Sequence, residues 1–263
     1  MNSASKKAIL VVSFGTSYEN TRKLTIEAIE HDIADAFPAC PTYRAWTSKM
    51  IIAKLKKRDG LTIHTVKEAL EQMLLDGITD VIVQPTHVIN GIENDQMKAD
   101  ALSFRDRFSS IVFGNPLLTT EEDNQAIVRV VADEFRDMDP DTALVLMGHG
   151  TEHFANSAYS QFENMLRDLG HESTYVGTVE GFPSLDYVIR RLKIREIKKV
   201  YVMPLMIVAG DHARNDLAGA EADSWDSILK ADGFETEVIM KGLGEIDAIA
   251  EMFVKHLKKA ESL

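Results

Sequence analysis

The chain has a single cysteine, Cys40. No internal disulfide or CxxC metal or redox motif can form, and a reducing cytoplasm is the expected compartment. Long apolar runs are missing as well. The longest, such as Ala8–Val12 and Val200–Met206, fall far short of the ~20 residues a membrane helix needs. Residues Met1–Lys7 are polar and lead directly into a strand-like run, so no secretory leader is expected. Basic residues are in deficit, with 29 Lys and Arg against 41 Asp and Glu and a net charge of −12. The only dense basic stretches, Lys54–Arg58 and Arg190–Lys199, read as solvated helix ends. Nucleic acid and anionic membrane are therefore not expected partners. Four common motifs are also absent: GxGxxG, GxxxxGK[ST], GxSxG and HExxH. Their absence removes the usual dinucleotide, nucleotide, serine-hydrolase and zinc-protease readings.

What is present reads as an ordinary globular α/β chain of 263 residues, 45% apolar and 27% charged. Short β-branched runs alternate with amphipathic stretches. Strands are expected at Ala8–Phe14, Thr42–Trp46, Val81–Gln84, Ile111–Phe113, Leu144–Met147, Tyr175–Gly177, Val200–Met203 and Thr236–Met240. Helices are expected at Thr21–Phe37, Val66–Leu75, Gln96–Phe108, Glu121–Arg136, Ser157–Leu169, Ser184–Leu192, Ser224–Ala231 and Ile246–Lys259. Such alternation implies parallel sheets covered by helices on both faces. The pattern also repeats. Ala8–Thr16 resembles Ala143–Thr151, and Asp80–Pro85 resembles Lys199–Pro204. The polar segment Asp137–Asp141 separates the copies, so two similar lobes are expected at 1–137 and 141–263. A cleft between them, at the carboxyl ends of parallel strands, is the expected ligand site.

Chemistry is expected where the two copies differ. Phe14 in the first copy matches His149 in the second, and Glu93 matches His212. Both histidines follow strands, and His149 stands between Gly148 and Gly150, where a ligand can approach the backbone. The plain alternative for each is a solvated or capping side chain. Neutral imidazole is the commonest metal ligand near neutral pH, and it accepts Fe, Co, Ni, Cu and Zn. Glu180, after the strand at Tyr175–Gly177, is a third candidate, as ligand or as general base. Asp211 is a candidate to orient His212, or to cap the following helix. His87 follows the matching strand of the first copy and is read equally as structural or as a ligand contact. His31, His64, His171 and His256 read as structural or surface residues, and His153 as part of a helix start.

A family resemblance is carried by four segments, Val11–Ser17, Met147–Gly150, Val179–Pro183 and Met203–Ala213, with support from Thr47–Ile52, Leu55–Gly60 and His87–Gly91. Together they closely resemble the anaerobic sirohydrochlorin cobaltochelatases of the CbiK type, which are class II, ATP-independent chelatases. The likeness extends from about Lys7 to Leu257. It implies two flavodoxin-like lobes around a tetrapyrrole cleft. It also implies insertion of Co²⁺ into sirohydrochlorin on the anaerobic route to cobalamin, with His149, Glu180 and His212 as the metal site. The substrate carries eight carboxylates, so positive groups and hydrogen-bond donors are expected around it. The candidates are Arg44, Lys49, Arg58 and Arg214, the first strand end Ser13, Phe14, Gly15 and Thr16, and His87. No cofactor is expected beyond the substrate metal, Co²⁺, with Ni²⁺ or Fe²⁺ as alternatives. The expected partners are sirohydrochlorin and that divalent metal, and a homo-oligomer is compatible with the sequence. A non-catalytic tetrapyrrole or metal carrier is the reading from a different class.

Overall fold

A computed structural model describes residues 6–135, 138–139 and 141–261. Among the described residues, eight strands form two four-stranded sheets. They are β1 (Lys7–Ser13), β2 (Thr42–Trp46), β3 (Asp80–Pro85) and β4 (Ser110–Phe113), then β5 (Thr142–Gly150), β6 (Thr174–Glu180), β7 (Lys199–Pro204) and β8 (Glu235–Val238). The sheet orders are β2-β1-β3-β4 and β6-β5-β7-β8, and every pairing is parallel. β1 and β5 are near-continuous apolar runs because helices cover both of their faces. The repeat seen in the sequence is therefore structural. β1 and β5 hold the same place in their sheets, as do β3 and β7, and the registers Val12↔Pro85 and Met147↔Pro204 match.

The described elements also include ten α-helices: α1 (Glu19–Leu24), α2 (Ile26–Ala36), α3 (Lys49–Asp59), α4 (Val66–Leu75), α5 (Ile92–Leu102), α6 (Glu121–Glu134), α7 (Ser157–Asp168), α8 (Leu185–Ile194), α9 (Trp225–Ala231) and α10 (Asp247–Glu261). None of the described helices is long and apolar enough to cross a membrane. Two helices differ from their expected form. The helix expected over Thr21–Phe37 is broken at Thr25, whose hydroxyl donates to the Thr21 carbonyl at 2.6 Å. That local bond competes with the helical ladder. The helix expected over Gln96–Phe108 starts earlier, at Ile92, and gives way to a 3₁₀ turn at Arg105–Arg107. Arg136, the expected end of α6, lies outside the described residues, as do Asp137 and Pro140 of the expected linker.

The division of the chain also differs from the expected 1–137 and 141–263. One compact unit takes residues up to Thr119 plus those from Ile246 onward, and the other is Thr120–Glu245. The two halves have exchanged their last helices. α10 packs on α2, β3 and β4 of the first unit, whereas α6 packs on α7 of the second. Each unit has its own apolar core. In the first, Leu10, Val12, Val83, Leu70 and Met97 meet. In the second, Val145, Met147, Val202, Val188 and Trp225 do.

Candidate metal centre

In a doubly wound sheet, ligands sit outside the carboxyl ends of the strands where the order reverses. In the second unit that point lies between β5 and β7. His149 is the penultimate residue of β5, and His212 follows β7 after a short loop. Their rings stand edge to face with centroids 4.6 Å apart. Two residues 63 positions apart in sequence are thus brought together by the strand order alone.

Each imidazole is oriented through the same nitrogen. His149 Nδ1–H donates to the Gly150 carbonyl at 2.9 Å. His212 Nδ1–H donates to Asp216 Oδ2 at 2.5 Å. A carbonyl and a carboxylate only accept, so the proton belongs on Nδ1 and each Nε2 keeps its lone pair for a metal. The carboxylate partner fixes the tautomer and orientation of the His212 ring. Asp216 reaches it across one turn of a π-helical segment, Ala213–Leu217, that begins directly after His212. Asp211, read from the sequence as either an orienter of His212 or a helix cap, is the adjacent residue, whereas the carboxylate seen on this nitrogen is Asp216. Sequence adjacency is the wrong guide here, because a side chain four residues on shares the helical face.

Glu180 ends β6, the neighbour of β5 on the side away from β7. Its backbone is in register with Gly150. Gly150 has φ +81°, and a Cβ there would lie 1.6 Å from the Glu180 carbonyl oxygen. The glycines flanking His149 therefore admit neighbouring protein groups: Gly150 the end of β6, and Gly148 the ring of buried Tyr159, 2.4 Å from where a Cβ would stand. Asn156 links the loops beyond both strands. Its Oδ1 accepts from the Thr151 N–H at 3.0 Å, and its Nδ2 donates to the Phe182 carbonyl. The Glu180 side chain itself is exposed. Among the described residues, no three His, Cys, Asp or Glu side chains stand together as a metal-binding group. The structure thus joins two of the three expected donors and puts the third at the end of the adjacent strand. Arg214, exposed, lies within the π-helical segment beside His212.

The remaining candidates belong to the first unit. Ser13 is buried at the end of β1, where its hydroxyl accepts from Thr86 at 2.8 Å. Phe14 is half-buried, and its carbonyl accepts from the Ser48 N–H at 3.2 Å. Gly15, with φ +104°, lies against the Trp46 ring, and Thr16 is buried. Lys49 is exposed in the first turn of α3, behind the Ser48 cap. Arg58 donates to the Ser17 carbonyl at 2.7 Å and to both oxygens of Asp59. His87 is buried just beyond β3. Burial pushes its pKa down to about 4, with the Asn94 amide opposing that shift, so the ring is neutral at pH 7. Arg44 is the last of these candidates. It sits mid-strand opposite Val11 rather than at a strand end, and it pairs with Glu30 on α2 at 2.8 and 2.9 Å. Its guanidinium neutralises a carboxylate that burial otherwise destabilises.

Among the other histidines, His153 Nδ1 accepts from the Ala155 N–H at 3.2 Å, the helix-start role expected of it. His256 is buried and donates to the Asn115 carbonyl at 2.9 Å.

Residues 7–262 match the family model described as Cobalt chelatase (CbiK). The chain belongs to that family. It is 39% identical to a sirohydrochlorin cobaltochelatase of Salmonella typhimurium over 97% of this chain and 96% of the relative. It is 32% identical to the sirohydrochlorin cobaltochelatase CbiKC of Nitratidesulfovibrio vulgaris over 98% and 91%. In fold it is similar to SirB from Bacillus subtilis, with a TM-score of 0.66 at 15% identity, covering 97% of this chain and 95% of that one.

Proposed function

We propose that this chelatase inserts Co²⁺ into sirohydrochlorin without ATP. The paired imidazoles at the β5–β7 strand ends, each with its Nδ1 already engaged, carry the reading. Insertion places one Co²⁺ in the macrocycle and releases two pyrrole N–H protons. His149 and His212 present Nε2 to the metal and displace part of its water shell. Glu180 joins them by turning its exposed side chain inward, as a third donor or as the acceptor of a pyrrole proton. Arg214, beside His212, is assigned to the macrocycle's carboxylates. Co²⁺ is the substrate metal assigned here. Ni²⁺ and Fe²⁺ accept the same donor types. A reducing cytoplasm suits the single thiol.

The test is an anaerobic absorbance assay of sirohydrochlorin with Co²⁺, Ni²⁺ and Fe²⁺ in turn, using the protein in catalytic amounts. Sustained metallation is expected, and His149→Ala and His212→Ala should each lower it steeply while sirohydrochlorin still binds. A single stoichiometric burst would show a carrier instead. Wild-type rates in both histidine variants at saturating Co²⁺ would sink the mechanism.

A further inference from the structure

Asn156 lies seven residues beyond His149 and bonds to a carbonyl 26 residues further along the chain. It stands at the head of α7, preceding Ser157. Its two amide atoms do different work. Oδ1 holds the loop leaving β5 at Thr151, and Nδ2 holds the loop leaving β6 at Phe182. Gly181 lies between the two. It has φ +96°, and a Cβ there would stand 3.3 Å from the Thr151 carbonyl oxygen and 3.5 Å from both amide atoms of Asn156. Residues 150–151 and 180–181 therefore run against each other with no side chain between them, and one amide spans the seam. The seam joins the strand that carries His149 to the strand that carries Glu180.

We infer that Asn156 is a positioning residue for metal capture: it fixes the end of β6 against the end of β5, and so sets the place from which Glu180 reaches a metal held by His149. The inference rests on the cobalt-insertion reading above. Asn156 touches neither metal nor macrocycle in this role. Its effect should appear in Co²⁺ handling and should pass through Glu180. Supporting partners of this kind typically contribute 10–100-fold in metal affinity.

Two substitutions separate the two bonds. Asn156→Ala removes both. Asn156→Asp keeps an acceptor for the Thr151 N–H but faces the Phe182 carbonyl with an oxygen instead of a donor. Both variants should raise the KM for Co²⁺ by roughly tenfold and leave the KM for sirohydrochlorin unchanged. Both should also alter the visible d–d absorption of Co²⁺ added to the protein without macrocycle, a readout that needs no turnover. In a Glu180→Gln background, Asn156→Ala should raise the Co²⁺ KM far less, because residues acting through one another are not additive. If Asn156→Ala fails to fold, Asn156→Asp carries the same comparison. Equal effects of Asn156→Ala with and without Glu180, or a wild-type Co²⁺ KM and spectrum in Asn156→Asp, would overturn the positioning role alone. A wild-type protein that neither binds Co²⁺ nor turns over would overturn the functional reading and this role with it.

Discussion

Gly150→Ala tests the architecture of the metal centre most directly, and the protein supplies its own control. Gly150 and Gly170 both have left-handed backbone, with φ +81° and +89°. A Cβ costs roughly 1–2 kcal/mol in that conformation, whatever surrounds it. Around Gly170 nothing lies within 4 Å of the added atom, whereas at Gly150 the Glu180 carbonyl oxygen lies 1.6 Å away. Real contacts do not fall below 3.0 Å, so the ends of β5 and β6 must part by at least 1.4 Å. Gly170→Ala should therefore show the conformational cost alone. A melting point lower by about 2–4 °C per kcal/mol is expected, with kcat/KM unchanged. Gly150→Ala adds an overpacking cost of about 1–3 kcal/mol. It also moves Glu180 relative to His149, and a displacement near 1 Å can cost on the order of 100-fold in rate. Thermal denaturation and initial rates of Co²⁺ insertion, measured on both variants, separate the two effects. If Gly150→Ala loses only as much stability as Gly170→Ala and keeps its kcat/KM, the close seam between β5 and β6 does not hold the site.

Three further predictions concern single side chains. Asp216→Asn keeps a hydrogen-bond acceptor for His212 Nδ1–H but removes the charge, so Co²⁺ affinity should fall by about tenfold, and Asp211→Asn should change it far less. Titration of Co²⁺ by its visible absorption decides this, and equal losses in the two variants would count against Asp216 as the orienter. Glu180→Gln should lower kcat more than Co²⁺ affinity if the carboxylate takes a pyrrole proton, and both alike if it is a ligand; no change in either would remove it from the mechanism. His87, with its pKa lowered from 6.5 to about 4 by burial, binds its proton only in the unfolded chain between those values. Stability should thus fall as pH drops from 6.5 toward 4, by up to about 3 kcal/mol, and His87→Leu should flatten that part of the profile. Urea midpoints at pH 7, 6 and 5 make the comparison, and an unchanged slope in the variant would contradict it.

The strands were readable because central parallel strands are buried on both faces and show as unbroken apolar runs, as at Ala8–Val12 and Ala143–Met147. The exchange of α6 and α10 between the units was not readable. An amphipathic pattern says that a helix has an apolar face, not which sheet that face covers. The break at Thr25 was hidden for a related reason. Apolar residues stand on both sides of it, Leu24 before and Ile26, Ile29 and Ile33 after, and the interruption comes from one hydroxyl turning back on Thr21. Arg44 shows a similar gap, because its charge is visible in the sequence while its partner is not. Glu30 lies 14 residues earlier, on a helix packed over the strand.

At the metal centre, the repeat carried the information. Phe14 directly follows β1, and His149 is the penultimate residue of the equivalent strand, β5. Glu93 in the first turn of α5 and His212 at the head of the π-helical segment each follow the third strand of their sheet in chain order. The two units thus match at these two positions along the chain, and only the second fills both with imidazole. The supporting groups follow a different logic. Asp216 is four residues from His212, a spacing that shows its meaning only once a helix is known to begin there. Asn156 has no sequence signature at all, because the carbonyl it reaches belongs to a loop that chain topology alone brings near. Donor residues can be found by comparing the copies, since both copies must place something at those positions. The groups that aim the donors serve only the copy that has them, and the first unit offers no counterpart to compare.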